Sequence, residues 1–348
     1  MPVTINSLLD LAALPFDEII DVRSPAEYAE DHMPGAISLP VMSNDERARV
    51  GTIYTQVDPF QARKIGAAIV ARNAARHLEG PLADREGGWR PLVYCWRGGQ
   101  RSGSFAVILK QIGWRSDTVD GGYRAYRRMV ARMLHDDPLP WRPVLIDGNT
   151  GTAKTQLLRH LRDIGAQVVD LEGLAEHRGS LFGGLAGPQP AQKMFESRLA
   201  GALVPLDPAR PVYIEAESNK VGDILIPGSV WKAMLDAPRI TLSAPLAARA
   251  AHLIDTYAEL TSDPGALMTI IDKLRPYHAA ERIERWQTLA TSRDFHALCA
   301  DLMQAHYDPR YAKSATRKAA AQGRHDLPDL SETTLRRAAE RIADETGL

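Results

Sequence analysis

Twice in this chain, a short apolar strand runs into a glycine-rich loop that opens directly into a predicted helix. Residues 91–94 lead into a loop that begins at Cys95, and residues 144–147 lead into the loop 148–155. Apolar strands that alternate with helices form parallel sheets covered by helices. The unpaired N–H groups at such helix starts favour anions. The sequence therefore predicts an α/β chain with two anion-binding corners.

Length and cysteine content restrict the class of protein further. A chain of 348 residues can form about two domains. Its two cysteines, Cys95 and Cys299, offer neither a disulfide framework nor a metal cluster, so we expect a reducing, cytoplasmic location. No apolar stretch approaches the roughly 20 residues that span a bilayer, so no membrane contact is expected. The net charge of −1 gives no global nucleic-acid signature, and RNA contacts must come from local patches.

Cys95 has the surroundings of a nucleophile. At a strand-to-helix corner, backbone N–H groups together with Arg97 and Arg101 favour the thiolate over the thiol. The same donors would hold a phosphate-like oxyanion. The alternative is an inert structural cysteine, but such cysteines lack flanking arginines and glycines. We therefore predict that Cys95, Arg97 and Arg101 form a catalytic anion cradle.

The segments before Cys95 resemble the rhodanese family. The resemblance rests on Ile-Ile-Asp-Val at 19–22, Glu-Tyr at 27–28 and a Pro-Gly-Ala turn at 34–36. It implies a rhodanese-like parallel-sheet domain in which Cys95 carries sulfur as a persulfide. The C-x5-R spacing from Cys95 to Arg101 is one residue longer than in single-domain sulfurtransferases, and phosphatases of related folds surround a phosphate with that spacing. We therefore expect the loop to accept a phosphate-sized anion as well as a chalcogen atom.

The second corner, Gly-Asn-Thr-Gly-Thr-Ala-Lys-Thr at 148–155, is nearly a P-loop. In this pattern glycines let amides approach phosphates, the lysine reaches the outer phosphates, and the hydroxyl binds Mg²⁺. Ala153 replaces the last glycine and adds a β-carbon beside the cradle. The alternative is an ordinary glycine turn, but the preceding strand, the predicted helix 156–163, the lysine and the threonine all fall in register. The predicted phosphate or diphosphate ligands are Gly148, Thr150, Gly151, Lys154 and Thr155.

Three further residues of the second domain are candidates for chemistry. The predicted strand 212–214 ends beside Glu215 and Glu217, where a carboxylate of a P-loop sheet commonly helps to hold Mg²⁺ or its water. The alternative for both is a solvated turn carboxylate. His177 precedes a glycine-rich loop and is a candidate acid or base, although a lone histidine is more often a structural hydrogen-bonding residue.

The rest of the chain is helical and carries basic residues. Residues 247–256 and 279–289 have helical periodicity, and Trp286 is expected in the core rather than as a stacking platform. We predict a rhodanese-like domain over 1–137, a P-loop domain over 138–300 and a helical basic extension over 301–348. The basic runs are candidate RNA contacts, with a solvated helix face as the alternative. They comprise Arg124, Arg127, Arg128 and Arg132, and then Arg310, Lys313, Arg317, Lys318 and Arg324.

A rhodanese-like domain followed by a P-loop domain is a rare pairing, and with its motifs it resembles the bacterial tRNA 2-selenouridine synthase family. The resemblance covers nearly the whole chain. The matching segments are residues 95–102, Gly-Gly-Tyr-Arg-Ala-Tyr-Arg at 121–127, the modified P-loop, and residues 177–183, 192–196 and 213–220.

This resemblance implies a transferase that replaces sulfur by selenium at the wobble 2-thiouridine of tRNA. It implies selenophosphate and geranyl diphosphate as co-substrates, an S-geranyl-2-thiouridine intermediate, and selenophosphate synthase as a partner. We assign geranyl diphosphate to the P-loop, with Mg²⁺ near Thr155 and Glu215 and with Leu181, Phe182 or Leu185 over the tail. Cys95 would deliver selenium, as S-selanylcysteine or as the group that accepts selenophosphate.

Three alternatives stay open at this point. The two cradles could have the reverse assignment. The chain could be an ATP-dependent RNA or small-molecule kinase with an accessory sulfurtransferase domain, which predicts Mg-ATP hydrolysis. The first domain could also be a regulatory phosphate sensor without turnover, although an intact Cys95 argues against that reading.

Overall fold

Two separate parallel β-sheets organise this protein, seen in a computed structural model that describes residues 2–184, 187–315 and 321–347. Each sheet belongs to one of two compact units. The first unit comprises Met1–Pro138 and Pro190–Pro205, and the second comprises Leu139–Gln189 and Leu206–Leu348. Because both units combine a parallel sheet with helices, the predicted α/β fold class is confirmed.

The strands are short, as is usual for parallel sheets of this size. In chain order they are β1 (Glu18–Asp21), β2 (Ile37–Ser38), β3 (Pro91–Tyr94), β4 (Asp117–Thr118), β5 (Arg142–Gly148), β6 (Gln167–Val169), β7 (Pro211–Glu215), β8 (Lys220–Val221), β9 (Ile224–Leu225), β10 (Arg239–Ser243) and β11 (Ala321–Asp326).

The α-helices precede, separate and follow these strands. In chain order they are α1 (Leu8–Ala13), α2 (Pro25–Glu30), α3 (Asn44–Gln56), α4 (Pro59–Glu79), α5 (Gln100–Ile112), α6 (Gly122–Ala131), α7 (Lys154–Asp163), α8 (Leu171–Leu174), α9 (Gln192–Leu203), α10 (Gly228–Asp236), α11 (Leu246–Thr256), α12 (Ala258–Ser262), α13 (Pro264–Asp272), α14 (Ala280–Thr291), α15 (Phe295–Leu302), α16 (Asp308–Ala315) and α17 (Glu332–Thr346). Short π-helical turns lie at Arg132–Asp136 and Met303–Tyr307, and a 3-10 turn at Arg275–Tyr277.

The first unit is built on a sheet of order β2-β1-β3-β4, in which all neighbours are parallel. All four residues of β3 are buried, as expected of a central strand covered by helices. Its core joins Ile20 and Val93 of the sheet to Ile69 of α4 and Phe105 of α5. Since parallel strands end at one edge of a sheet, the chain leaves β1 and β3 on the same side. Cys95 follows β3 at that edge.

A buried ion pair lies beside that edge. Arg23 donates from Nη2 to Asp21 Oδ2 at 2.6 Å, and its guanidinium carbon lies 3.9 Å from the ring centre of Tyr123. Tyr123 Oη donates to Asp31 Oδ2 at 2.7 Å, and Ser197 Oγ of α9 donates to the same oxygen at 3.0 Å. Buried charges are tolerated when they are paired and hydrogen-bonded. α9 therefore completes the polar interior of the first unit, although in the chain it lies between β6 and β7.

The second unit is built on a parallel sheet of order β11-β10-β5-β7-β6. β5, which leads into the phosphate loop, is the central strand. Helices α7 and α17 cover one face, and their apolar side chains form a core with those of β5 and β10. That core includes Ile146, Leu157, Leu161, Leu242, Leu335 and Ile342.

A second, helical core of this unit lies between α13, α14 and α15. It surrounds Trp286, which is fully buried and donates from Nε1 to Asp301 Oδ2 at 2.9 Å. The prediction that Trp286 is a core residue is confirmed. Among the described residues, no helix is both long and apolar enough to cross a membrane.

The units differ from the predicted domain ranges in two places. Helix α9 belongs to the first unit, whereas the predicted P-loop range of 138–300 includes it. The residues after 300 belong to the second unit rather than forming an extension, because β11 pairs with β10 and α17 packs on α7. Arg324, expected in a basic helical run, lies in β11 and donates to Asp326 at 2.8 Å.

The place of α17 in the core gives a stability prediction. Leu335 is fully buried against α7, so Leu335→Ala should lower the free energy of unfolding by about 2–5 kcal/mol. The exposed Arg337 of the same helix is the control, and Arg337→Ala should change it by no more than about 0.5 kcal/mol. Urea unfolding measures both, and equal effects of the two variants would show that α17 does not complete the core.

Candidate active site

Cys95 lies directly after β3, and its thiol is buried in the loop that follows. The backbone N–H of Gly99 donates to Sγ at 3.3 Å, and the Ser102 hydroxyl donates to it at 3.2 Å. Both donors lie at the start of α5, where unpaired N–H groups also concentrate. Such donors stabilise negative charge on sulfur. The loop therefore supplies the surroundings that a thiolate needs.

The two predicted cradle arginines differ in their surroundings. Arg97 is exposed, whereas Arg101 donates from Nη1 to Glu27 Oε2 at 2.8 Å. Burial opposes ionisation of Glu27, but the hydrogen bond and charge of Arg101, with a smaller contribution from Ser24, lower its pKa to about 2. Arg101 is thus ion-paired with the ionised carboxylate of Glu27. No sequence motif points to Glu27 as the partner of Arg101. The catalytic roles of both arginines stay predictions.

The start of α6 supports the Cys95 loop. The N–H groups of Tyr123 and Arg124 donate to the carbonyls of Cys95 and Trp96 at 2.9 and 3.0 Å. Gly122 has φ of +56°, and a β-carbon there would collide with the Cys95 carbonyl. Only glycine combines this backbone with so close an approach. The Gly-Gly-Tyr-Arg segment therefore shapes the cysteine loop.

The predicted RNA contacts are not equivalent. Arg124 and Arg128 are exposed, but Arg127 is ion-paired with Glu196 of α9, which His135 also approaches at 3.2 Å. Arg127 therefore has a structural role inside the first unit. Arg317 and Lys318 lie outside the described residues. As RNA contacts, all of these arginines and Lys318 stay predictions.

The phosphate loop follows β5 and leads into α7. Ala153 has φ of +59° and ψ of +32°, the left-handed conformation that a glycine would adopt without strain. The loop therefore keeps its left-handed turn although alanine replaces glycine. Lys154 Nζ donates back to the Gly148 carbonyl at 3.1 Å. Thr150, Gly151, Lys154 and Thr155 line one cavity, whereas Gly148 does not, and the phosphate-binding role of these residues stays a prediction.

A buried arginine braces this loop, and the sequence analysis missed it. Arg249 of α11 donates from Nε to the Thr150 carbonyl at 2.9 Å. Its two terminal nitrogens donate to Asp308 at 2.7 and 3.0 Å, and Asn149 donates to the same carboxylate at 3.1 Å. Paired, bidentate geometry makes this contact rigid. No sequence motif links Arg249 to residues about 60 and 100 positions away, so only the fold reveals it.

The carboxylate beside the Thr155 hydroxyl belongs to Glu172, another residue that the sequence analysis did not select. Thr155 Oγ1 donates to Glu172 Oε2 at 3.2 Å. Glu217 is hydrogen-bonded to Glu172, and Lys154 interacts with both carboxyl groups by charge. Glu172 follows β6 and Glu217 follows β7, so the parallel sheet brings them to the same edge.

The shared position of these two carboxyl groups changes their acidity. Burial and then the charge of Glu172 raise the pKa of Glu217 to about 8, although Lys154 acts in the opposite direction. Burial also raises the pKa of Glu172, again against Lys154. Burial alone would lower the pKa of Lys154, but Tyr311, Glu217 and other nearby acidic groups raise it above its ordinary value. Lys154 is therefore protonated, and the two carboxyl groups favour holding a proton between them.

Glu215 contacts the backbone of Glu172 but does not line the cavity. It is buried, and its Oε1 accepts a hydrogen bond from the Glu172 backbone N–H at 2.7 Å. Burial, followed by the charges of Asp170 and Glu172, raises its pKa well above the ordinary value. Glu215 therefore positions Glu172, and of the two predicted carboxylates only Glu217 lines the cavity.

His177 and the residues after it form a tight turn over the carboxyl pair. His177 Nδ1 accepts a hydrogen bond from the Gly179 N–H at 3.1 Å, and burial lowers the pKa of His177. Gly179 has φ of +66°, and a β-carbon there would lie 2.7 Å from Glu172 Oε1 and 2.9 Å from Glu217 Oε2. His177 therefore helps to shape the turn. Its acid or base role stays a prediction.

These groups face one cavity of about 940 Å³ in the second unit. The phosphate loop and the carboxyl pair form part of its wall, and aromatic and basic side chains form other parts. Next to it lies a smaller apolar chamber of about 70 Å³, with Thr150, Ser180 and Tyr257 common to both walls. The site can therefore hold a phosphorylated compound with an apolar portion.

Comparison with known proteins agrees with the two-part organisation. Residues 141–267 match the family model described as tRNA 2-selenouridine synthase AAA domain, and residues 4–129 match the rhodanese-like domain. The tRNA 2-selenouridine synthase of Nitrosomonas europaea is 34% identical over 74% of this chain and 68% of its own length. Those of Pseudomonas syringae pv. syringae and Marinobacter nauticus are 32% and 30% identical, over 87% and 86% of this chain and 89% of their own lengths.

The contact between Gly122 and the Cys95 loop can be tested with two matched variants. Gly122→Ala should cost more than the roughly 1–2 kcal/mol of left-handed strain, because its methyl group also displaces the Cys95 carbonyl. Gly35→Ala is the control, since Gly35 has φ of +74° and open space around it. Urea unfolding and the alkylation rate of Cys95, resolved by mass spectrometry, should change more for Gly122→Ala. Equal changes in the two variants would contradict the steric argument.

The raised pKa of Glu217 predicts a pH-dependent stability. Between the ordinary value of 4.5 and the folded value of about 8, the folded protein binds more protons than the unfolded chain, so this group makes stability fall as pH rises. In that window this group should lower the free energy of unfolding of the parent protein by up to about 1.4 kcal/mol per pH unit. Glu217→Gln should not show that decrease. Urea midpoints at pH 5 to 8 measure it, with the exposed Glu340→Gln as control. A parental pH slope in Glu217→Gln would contradict the assignment.

Proposed function

The chain belongs to the tRNA 2-selenouridine synthase family, and on this basis we propose that it replaces sulfur by selenium at the wobble 2-thiouridine of tRNA. It is an enzyme whose substrate is tRNA. The observation that carries the proposal is the presence, in one chain, of a cysteine loop with donors aimed at sulfur and a phosphate loop beside an apolar chamber. A selenium donor and a prenyl diphosphate require those two environments.

The phosphate loop is the proposed site of geranyl transfer. The sulfur of 2-thiouridine would form a bond to C1 of geranyl diphosphate as the C1–O bond breaks and diphosphate leaves. Lys154 and the loop amides would stabilise the charge on that leaving group. The apolar chamber supports a prenyl tail, because Phe182, Leu253 and Leu267 line it. Its volume suits part of a ten-carbon chain, and the rest would lie in the adjoining cavity.

The three residues predicted to cover the prenyl tail differ in where they lie relative to the apolar chamber. Phe182 is buried and lines the chamber, which supports its assignment. Leu181 is 41% exposed, so it offers less contact with a chamber ligand. Leu185 lies outside the described residues.

Selenium delivery is assigned to Cys95. In the proposed step the Cys95 thiolate attacks phosphorus of selenophosphate, the P–Se bond breaks with its electron pair on selenium, and hydrogen selenide leaves as S-phosphocysteine forms. Water then cleaves the S–P bond, which releases phosphate and restores the thiol. Gly99 N–H and the Ser102 hydroxyl would stabilise the thiolate before that step. The selenium would then displace the geranylthio group, which leaves C2 of the base more easily than the original sulfur.

Mg²⁺ is a further proposal for the second unit. Thr155 and Glu172 fit this ion, because a hydroxyl and a carboxylate lie within hydrogen-bond distance of each other. Without a cation, Glu172 and Glu217 disfavour full ionisation of both carboxyl groups. Mg²⁺ would neutralise diphosphate charge. The contacts favour Glu172 over Glu215 as its ligand, since Glu215 accepts from the Glu172 backbone.

Cells that lack this protein provide the test. Mass spectrometry of their tRNA nucleosides, with selenium supplied, should show no 2-selenouridine, and the parental gene should restore it. Cys95→Ala should restore S-geranyl-2-thiouridine without 2-selenouridine, because alkylation does not need the cysteine. Lys154→Ala should restore neither nucleoside.

The opposite pattern in these variants would reverse the assignment of the two loops. Unchanged 2-selenouridine in cells without the protein would reject the proposed function. Hydrolysis of Mg-ATP coupled to phosphorylation of RNA or a small molecule, with no selenium product, would favour the kinase alternative.

A further inference from the structure

One wall of the large cavity has no role in the binding of a diphosphate or its tail. It lies between α10 and β10 and carries Trp231, Leu235 and Arg239, with Ser218 and Asn219 beside Glu217. The apolar chamber is instead lined by residues of α11, α13 and α15 and of the turn after His177. The α10 wall mixes one large aromatic ring with polar groups, so its chemistry differs from that of the chamber.

Arg239 provides an unused donor in this wall. It is the first residue of β10 and is only 6% exposed. Nη1 lies 3.5 Å from Asp147 Oδ2, but Nε has no hydrogen-bond partner among the described residues. An unpaired buried donor destabilises the folded protein. A ligand acceptor that reaches Nε would remove that cost.

The sheet keeps Arg239 on the cavity side. Ile240 and Leu242 share the other face of β10, and both belong to the core formed with α7 and α17. Arg239 therefore lies on the opposite face, which is the one toward Asp147 and α10. Asp147 is shared between two donors, because its Oδ1 also accepts from the Gly148 N–H at 2.8 Å.

Trp231 and Leu235 form a ledge that lines the same cavity as this donor. They are four residues apart on α10, so they share one stripe of the helix, while Val230 and Met234 face the core. Trp231 is half-buried and Leu235 is 48% exposed, although both line the cavity. A half-buried indole beside a buried guanidinium suits a planar ring with acceptors on its edge.

We propose that Trp231, Leu235 and Arg239 bind the base of the tRNA nucleotide that reacts in this cavity. The base stacks on the indole of Trp231, and the Arg239 guanidinium donates to an acceptor on the edge of the pyrimidine. This inference rests on the proposed function, because that function brings a wobble pyrimidine to the phosphate loop. It leaves the chamber on the other side to the prenyl tail.

The test is a double-mutant cycle in which one change is made in the protein and the other removes the wobble base from the RNA. The full chain is titrated, with inorganic diphosphate present, against an anticodon stem-loop carrying 2-thiouridine and against the same stem-loop with an abasic wobble site. The parent protein should bind the 2-thiouridine RNA about 5- to 100-fold more tightly, which is the range expected from one stacked base. Trp231→Ala should bind the two RNAs equally, and Trp231→Phe should restore most of the difference.

Two further variants separate the donor from the ledge. Arg239→Met should lower affinity for the 2-thiouridine RNA and leave the abasic RNA unaffected. Lys232→Ala, at an exposed neighbour on α10, should behave as the parent. A general loss of folding would instead weaken the binding of both RNAs equally. Recovery of binding in Trp231→Phe would show that the aromatic ring, and not folding, was lost in Trp231→Ala.

Three outcomes would overturn the inference. The first is equal binding of both RNAs by the parent protein. The second is that the losses of binding free energy from Trp231→Ala and from the abasic site add, and the third is that Trp231→Ala raises only the KM for geranyl diphosphate. In the last two cases 2-selenouridine would still form in cells, so the proposed function would survive. Failure of the parent protein to make 2-selenouridine would reject the proposed function separately.

Discussion

Both glycine-rich loops keep their shape because carbonyl groups inside them accept hydrogen bonds from a neighbouring helix. In the first unit, the start of α6 donates to Cys95 and Trp96. In the second, Arg249 of α11 donates to Thr150. A buried carbonyl without a partner is costly, so these donors restrict each loop to one course. The thiol donors and the phosphate cradle depend on that course.

Charge balance decides what the second unit can bind. Lys154 lies among Glu172, Glu217 and Asp147, and burial together with mutual repulsion makes Glu172 and Glu217 hold protons more tightly. A diphosphate alone would add negative charge to this group. A cation beside Thr155, or a proton shared by the carboxyl pair, makes its binding compatible with the site. The apolar chamber and the α10 wall then offer distinct environments on either side of the phosphate loop.

The sequence indicated the parts of the fold that depend on local pattern. Strands such as β3 and the position of Trp286 follow from apolar runs and periodicity, which neighbouring residues determine. The phosphate loop was found because its lysine and threonine stand at fixed spacing. Glu172 was missed because its carboxylate reaches Thr155 only through the pairing of β6 with β7 and of β7 with β5. Helix α9 lies in the first unit and outside the predicted first-domain range for a related reason: its partners, Asp31 and Arg127, lie far away in the chain.

By itself, the sequence determined the chemistry that is available: one cysteine before a glycine turn, one lysine in a phosphate loop, and strands that form parallel sheets. Tertiary structure decided which groups meet. It joined Arg101 to Glu27, assigned Arg127 to Glu196, buried Glu215 beside the Glu172 backbone, and left Arg239 Nε buried without a partner among the described residues. The physical reason is that acidity, pairing and access depend on distance and burial, and parallel sheets set both between residues that are remote in the chain.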